Sequence, residues 1–192
     1  MAETNIADTL VEYLSSRGVQ NIFGVLAHTS FAIGDAIAKR PHMRFVNAQH
    51  EGGAGNMALG YARATKKPAV CLVSAGGGAT NIVTAVAQAH KESVPLFVIS
   101  SDIDTAASAK GSFSSFHGME HVRLFQPITK QSVKLERVEE LGKIYNDIQN
   151  ELRSQYVLGF YPPEGVKPGS KWREVQVQTS QGKVKTIRGY YP

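Results

Sequence analysis

Short, largely apolar segments alternate with helical patterns along the first two-thirds of this 192-residue chain. Four segments have the length and composition of buried strands: 21–25, 43–46, 69–73 and 95–100. Apolar residues at helical spacing indicate helices around them, over about 6–14, 31–37, 52–64 and 79–91. Strands that lack polar alternation need cover on both faces. The pattern therefore predicts an α/β fold: a doubly wound, mainly parallel sheet with helices on both faces.

Composition and charge exclude several classes of protein. Hydrophobic residues make up 42% of the chain, enough for a core and too many for a disordered chain. No apolar run approaches the ~20 residues that span a bilayer, and no signal-peptide pattern is visible, so we expect a cytoplasmic protein without membrane contact. The net charge is +5, but Lys and Arg are scattered, which favours a solvated surface over nucleic-acid binding. The single cysteine, Cys71, excludes an internal disulfide and is expected to be buried.

The chain after residue 100 departs from this alternation. Ser, Ala, Gly and Asp dominate residues 101–118, which predicts a long loop. Residues 128–133 suggest a further strand, and 138–152 show the apolar spacing of an amphipathic helix. A strand-like run at 156–160 and alternating residues on both sides of Ser180-Gln-Gly182 predict a closing strand and a β-hairpin.

An acidic residue, Glu51, stands between a predicted strand and a helix rich in small residues. In parallel sheets, the carboxyl ends of the strands form the edge where ligands bind. The glycines of this helix imply that something approaches its backbone closely. A plainer interpretation is that Glu51 caps the helix and that the glycines only permit helix–sheet packing. A second turn, Gly76-Gly-Gly78, lacks the spacing of the common phosphate-binding glycine motifs.

Several ordered motifs together resemble the N-terminal, pyrimidine-binding domain of thiamine-diphosphate-dependent enzymes of the acetolactate synthase and benzoylformate decarboxylase type. The matches are, in chain order, Phe23-Gly24-Val25, His50-Glu51 with its small-residue helix, Gly76-Gly-Gly-Ala-Thr-Asn81, Ser93-Val-Pro-Leu96, and Pro127-Ile-Thr-Lys130 followed by Ser132-Val133. The resemblance covers roughly residues 3–142. Ordered matches at these intervals are more specific than either glycine motif alone.

The resemblance implies a catalytic role for Glu51. In that family, a glutamate at this place hydrogen-bonds N1′ of the cofactor's aminopyrimidine and favours the imino tautomer, whose 4′ nitrogen removes the thiazolium C2 proton. The activated cofactor then attacks the carbonyl of a 2-keto acid. Such a carboxyl group must share a proton near neutral pH, which burial against apolar walls promotes. By the same resemblance, the residues lining the pyrimidine pocket are Gly24, Leu26, Ala27, Gly78 and Asn81.

Some positions near this expected pocket depart from the family's pattern. Leu26 and Ala27 replace a Pro-Gly pair, and Ala27 adds a methyl group near the expected cofactor. His28 follows them, and His117 stands in Phe116-His-Gly118, where the family has Phe-Gln-Glu. The two histidines are either substrate-side groups that exchange protons near pH 7 or residues of a site no longer used. The sequence leaves both interpretations open.

A second departure concerns the other half of the cofactor. In this family the diphosphate and its Mg²⁺ bind a separate domain with Gly-Asp-Gly and a downstream Asn, and this chain has no Gly-Asp-Gly. The resemblance therefore implies that the chain holds thiamine diphosphate by its pyrimidine end only, with Mg²⁺ bound through a partner domain. We expect a homo-oligomer or a partner subunit, and no catalysis by the chain alone. The alternative is a non-catalytic interaction module on the same α/β scaffold.

These patterns divide the chain into two parts. Residues 1–142 form the predicted pyrimidine-binding α/β domain, and residues 143–192 form a tail of helix, strand and β-hairpin. The tail, which includes Trp172-Arg-Glu-Val175 and Arg188-Gly-Tyr-Tyr-Pro192, resembles the end of certain bacterial von Willebrand factor A-like proteins. The metal-binding Asp-x-Ser-x-Ser of that family is absent, so no metal-dependent adhesion role carries over, and no residue of this chain is predicted as a metal ligand.

Overall fold

The structure is a computed structural model. It describes residues 5–103, 110–111, 115–135, 140, 142–144, 146–147, 173–174 and 189–190. Contacts along the chain divide it into two compact units, Met1–Ser154 and Gln155–Pro192. The boundary predicted after residue 142 follows the family resemblance rather than contacts, and it stays a prediction.

Helices and strands alternate through residues 5–103 as predicted, except that the helix predicted over 79–91 is divided at Ile82 into two helices. The elements are, in chain order, α1 Ile6–Ser16, β1 Asn21–Gly24, α2 Phe31–Ala38, β2 Arg44–Asn47, α3 Glu51–Thr65, β3 Ala69–Val73, α4 Gly77–Asn81, α5 Val83–Lys91 and β4 Leu96–Ser100. A 3-10 turn, His28–Ser30, leads into α2. Further along, α6, His121–Phe125, continues into a second 3-10 turn, Gln126–Ile128. Within the described residues, no helix is long and apolar enough to cross a membrane.

The four longer strands form one parallel sheet in the order β2-β1-β3-β4. β1 pairs with both neighbours, so that Phe23 lies opposite Val46 on β2 and Cys71 on β3. All five residues of β3 are buried, as expected for a strand covered on both faces. The predicted α/β class with a parallel sheet and flanking helices is confirmed.

The two faces of the sheet are packed by different side chains. β3 shows the division, because Cys71 and Val73 belong to one hydrophobic cluster and Val70 and Leu72 to the other. On the first face, α3 and α5 contribute small residues: Ala54, Ala58, Ala62, Ala85 and Ala89. On the second face, α1 and α2 contribute larger ones: Leu10, Val11, Leu14 and Ile37.

One predicted strand is wrong. Residues 129–135 form no strand, and they follow the 3-10 turn Gln126–Ile128. The Thr129 hydroxyl donates a hydrogen bond to the Phe125 carbonyl at 2.9 Å and lies 2.8 Å from Ser132 Oγ. Such local side-chain bonds compete with strand pairing, which accounts for the difference.

Only parts of the predicted tail lie within the described residues. The described positions between 140 and 147 are helical, and the rest of the predicted helix over 138–152 lies outside them. In the second unit, β5, Arg173–Glu174, pairs antiparallel with β6, Gly189–Tyr190. The predicted strand at 156–160 and the turn of the predicted hairpin lie outside the described residues.

Candidate cofactor site

Glu51 is the first residue of α3 and comes shortly after the carboxyl end of β2. The preceding residue, His50, caps the helix, because its Nδ1 accepts a hydrogen bond from the Gly52 amide at 3.0 Å. The interpretation of Glu51 as the helix cap is therefore wrong. Its carboxylate is available for contacts outside the helix, at the positive end of the helix dipole.

The Glu51 carboxylate lies beside the glycine turn that follows β3. Its Oε2 accepts a hydrogen bond from Asn81 Nδ2 at 3.0 Å. A Cβ added to Gly78 would stand 3.3 Å from Glu51 Oε1 and 2.5 Å from Ser74 Oγ, so this position has room for glycine only. Glu51 is half-buried, which is less than the apolar enclosure expected from the sequence, and Asn81 is exposed. The structure thus brings Glu51, Gly78 and Asn81 together.

The glycine turn that leads to Gly78 and Asn81 is fixed by contacts with residues from a later part of the chain. Gly76 precedes α4 with φ 65° and ψ −110°, a conformation that favours glycine. A Cβ on Gly76 would stand 2.8 Å from the Cα of His117, so the two backbones are in close contact. The Gly76 amide also donates a hydrogen bond to His121 Nε2 at 3.1 Å. The backbone of His117 and the side chain of His121 therefore both hold the turn before α4.

Three residues predicted to line the pyrimidine pocket lie at the end of β1 or just after it. Each of them contacts other residues of the chain there. Gly24 ends β1, where a Cβ would overlap the carbonyl oxygen of Leu72. Leu26 covers Gly34 on α2, and its Cδ2 lies 2.9 Å from the place of a Cβ there. The Ala27 amide donates a hydrogen bond to Ser30 Oγ at 3.0 Å, within the turn before α2. The assignment of Gly24, Leu26 and Ala27 to the pyrimidine pocket stays a prediction.

The two histidines predicted on the substrate side lie next to each other. The ring centroids of His28 and His117 are 5.0 Å apart, with the ring planes inclined by 59°. His28 is exposed, whereas His117 Nδ1 is buried and has no hydrogen-bond partner among the described residues. A buried polar atom of this kind is normally satisfied by water or a ligand. The structure places the pair together, and its role stays a prediction.

Two hydroxyl groups connect the loops at this edge of the sheet. Neither of them was predicted from the sequence as a site residue. Thr29 Oγ1 accepts a hydrogen bond from the Ala75 amide at 3.3 Å and lies 2.8 Å from Ser101 Oγ. They therefore connect the loops after β1, β3 and β4. Ser101 directly follows β4, so its position after a parallel strand was the available signal. Nothing in the sequence near Thr29 distinguishes it from a residue that starts a helix.

Cys71 takes no part in this site. It is fully buried in β3, and its Sγ lies 3.9 Å from the Ala54 carbonyl oxygen. Burial raises the pKa of the Cys71 thiol to about 12. The thiol is therefore protonated at neutral pH and unsuited to nucleophilic chemistry.

Similarity to known proteins covers most of the chain. The sequence model of the family described as thiamine pyrophosphate enzyme, N-terminal TPP binding domain, matches residues 4–121. The large subunit of acetolactate synthase isozyme 1 from Escherichia coli (strain K12) is 31% identical over 182 residues, which are 94% of this chain and 30% of that protein.

Two further relatives match a shorter part of the chain. The mitochondrial catalytic subunit of acetolactate synthase from Saccharomyces cerevisiae is 38% identical over 136 residues, 71% of this chain and 19% of that protein. The probable 2-ketoarginine decarboxylase of Pseudomonas aeruginosa is also 38% identical over 136 residues, 70% of this chain and 24% of that protein. The chain thus spans less than a third of each of these three relatives.

The chain belongs to the family of N-terminal, TPP-binding domains of thiamine pyrophosphate enzymes. This membership confirms the resemblance drawn from the ordered motifs, and it supports thiamine diphosphate as the cofactor of the domain. The resemblance of the tail to von Willebrand factor A-like proteins stays a prediction.

Proposed function

We propose that this chain supplies the pyrimidine-binding half of a thiamine-diphosphate-dependent enzyme that decarboxylates or joins 2-keto acids. The observation that supports this most is the Glu51 carboxylate, bonded to Asn81 and adjacent to Gly78 near the carboxyl end of a parallel strand. Glu51 is the catalytic residue of this proposal. The chain holds the pyrimidine end of the cofactor, and a partner domain binds the diphosphate and Mg²⁺.

The donor and acceptor groups of the described residues suit an aminopyrimidine ring. Asn81 donates a hydrogen bond to Oε2 of Glu51, which leaves Oε1 as the oxygen that can bond a ring nitrogen. When bound, thiamine diphosphate supplies a nucleophilic carbon that adds to the carbonyl of a 2-keto acid. The task of Glu51 is to share one proton between Oε1 and a ring nitrogen. Asn81 keeps the carboxylate in place for this, because an amide donor fixes its second oxygen.

The histidine pair belongs to the substrate side in this proposal. Both rings carry nitrogens that can donate or accept a hydrogen bond, and the buried Nδ1 of His117 has no hydrogen-bond partner among the described residues. His28 is exposed beside it. Together they provide polar groups for the carboxylate or carbonyl oxygens of a keto acid.

The test is turnover in a mixture of this chain with a partner chain that carries the Gly-Asp-Gly and downstream Asn pattern. Glu51→Gln keeps the size of the side chain and removes its ability to share a proton. We expect release of CO₂ from a 2-keto acid by the wild-type mixture and loss of at least ~100-fold in rate with Glu51→Gln, the usual scale for a proton-transfer group. Glu12→Gln, on α1, is the matched control and leaves the rate unchanged. Equal rates for wild type and Glu51→Gln would contradict the assigned role.

The second candidate function, a non-catalytic interaction module, is favoured by exposed aromatic residues. Phe116 is 95% exposed and Phe31 is 59% exposed. Aromatic residues are enriched where two proteins bind each other. Light scattering on the purified chain tests it together with cofactor titration. The interaction module is favoured if the chain forms oligomers but binds no thiamine diphosphate, either by itself or in the mixture with the partner chain.

A further inference from the structure

His121, the first residue of α6, makes an unusual contact with the glycine turn. Its Nε2 accepts a hydrogen bond from the Gly76 amide at 3.1 Å, so this nitrogen carries no proton in the structure. The side chain of His121 is 13% exposed. Its Nδ1 lies 3.9 Å from Asp102 Oδ1, beyond hydrogen-bond distance but close enough for electrostatic attraction.

The contact connects His121 to Glu51 through one short helix, α4. Gly76 immediately precedes α4, and the Thr80 amide donates back to the Gly76 carbonyl at 3.0 Å. The end of α4 carries Asn81, which donates the hydrogen bond to Glu51 Oε2. A shift of Gly76 therefore moves the N-terminus of α4 and with it the amide that orients the carboxylate.

We propose that His121 is a positioning residue of the cofactor site, which holds the turn at Gly76 only while its imidazole is neutral. A proton on Nε2 converts the acceptor into a donor that faces the donor of Gly76, so the hydrogen bond is lost. Protonation of His121 thereby releases α4 and weakens the alignment of Asn81 with Glu51. This inference rests on the proposed function for its consequence in cofactor binding, but the hydrogen bond itself is a property of the chain.

The surroundings of His121 favour the neutral form. Burial lowers the pKa of the imidazole from its ordinary value of 6.5, and Lys134 lowers it further. Asp102 and Glu120 raise the pKa and oppose this effect. Lys134 Nζ also lies 3.2 Å from Asp102 Oδ2, which partly neutralises that carboxylate. The hydrogen bond between Gly76 and His121 is therefore formed at neutral pH and is lost as the pH falls below 6.5.

The experiment is NMR on the full ¹⁵N-labelled chain between pH 5 and pH 8. We expect His121 at pH 8 to carry its proton on Nδ1, and the Gly76 amide proton to shift with the same midpoint as the imidazole, below 6.5. His121→Gln places an amide oxygen near the position of Nε2, so it retains the bond and removes the pH response. His121→Phe removes the acceptor, and amide exchange at Gly76 becomes about five to ten times faster, as expected for the loss of one hydrogen bond. His90→Gln, at the exposed end of α5, is the control and changes neither property.

Titration with thiamine adds the link to the cofactor. The affinity of the wild type is expected to fall at least about fivefold more between pH 8 and pH 5.5 than that of His121→Gln, a usual size for coupling between sites. The proposal is overturned if the Gly76 amide does not follow the titration of His121, or if both proteins lose affinity equally. If no variant binds thiamine but the Gly76 amide still follows the titration of His121, the proposed function is overturned. The pH-dependent hydrogen bond between Gly76 and His121 is then still established. If His121→Phe does not fold, the wild type and His121→Gln still decide the outcome.

Discussion

The two faces of the sheet are built from side chains of different size. The face covered by α1 and α2 is filled by leucines, isoleucines and valines, whereas α3 and α5 meet across alanines. Gly55 marks the closest approach, because a Cβ there would overlap the Cβ of Ala85. The first kind of packing tolerates small movements of long side chains, and the second brings helix backbones together with little freedom.

The site belongs to the small-residue face. Glu51 begins α3, and the α4 that carries Asn81 leads directly into α5. Close packing of α3 against α5 therefore sets the distance between a carboxylate and the amide that orients it. The α1–α2 face contributes stability but holds neither residue. We infer that removing side-chain volume destabilises the face covered by α1 and α2, whereas adding side-chain volume destabilises the face covered by α3 and α5.

The largest expected effect is the loss of a leucine from the α1–α2 face. Leu14→Ala removes a side chain that is 1% exposed and leaves a cavity, so the free energy of unfolding should fall by about 2–5 kcal/mol. Ile6→Ala, on the same helix at 40% exposure, is the matched control and should cost much less. Urea denaturation followed by circular dichroism measures both. Equal losses for the two variants would show that this face is not a packed core.

Within α3, alanine substitutions at two glycines are expected to change the free energy of unfolding by smaller amounts and in opposite directions. Gly55→Ala adds a methyl group against Ala85 and should destabilise the chain by roughly 1–3 kcal/mol, less the gain in helix propensity. Gly60→Ala adds the same methyl group where nothing lies within 4 Å, and should stabilise by about 0.5–1 kcal/mol. Thermal unfolding of the two variants compares them directly. Stabilisation of similar size by both would mean that α3 and α5 are not in close contact.

The smallest effect concerns the solvent side of the small-residue face, where Arg63 of α3 pairs with Glu92 after α5. A hydrogen bond from Gln88, at 3.0 Å, is the main cause that lowers the pKa of Glu92 below 4.5, and Arg63 adds to it. Because the folded-state pKa is lowered, this contribution to stability is present above pH 4.5 and is lost as the pH falls through the folded-state pKa. Carboxyl NMR titration should show that Gln88→Ala and Arg63→Ala each raise the Glu92 midpoint, because both side chains stabilise the charged carboxylate. An unchanged midpoint in either variant would contradict the structure.

Much of the fold could be predicted because strand burial leaves a direct mark on the sequence. β3 and β4 are apolar runs, and the parallel sheet follows from their alternation with helices. Glu51 could be found for the same reason, since it follows a strand at the edge where ligands bind. Gly78 and Asn81 were found through the family's motif, and the structure brings them to Glu51.

The remaining features depend on contacts that no spacing announces. The imidazole cap at His50 was missed because histidine is not among the usual capping residues. The bond between His121 and Gly76 joins residues 45 positions apart, and a lone histidine before an amphipathic segment gives no sign of it. The false strand at 128–133 had suitable apolar residues, but the hydroxyl of Thr129 bonds locally instead.

The most direct test of the central claim is to titrate the ¹⁵N-labelled chain with the pyrimidine half of thiamine, 4-amino-5-hydroxymethyl-2-methylpyrimidine, which needs no diphosphate or metal. If Glu51 and Asn81 form the pyrimidine site, the Asn81 side-chain amide and the Gly78 backbone amide shift together on binding, and Glu51→Gln abolishes both shifts while Glu12→Gln preserves them. Shifts that survive in Glu51→Gln, or that avoid Gly78 and Asn81 altogether, would contradict the account.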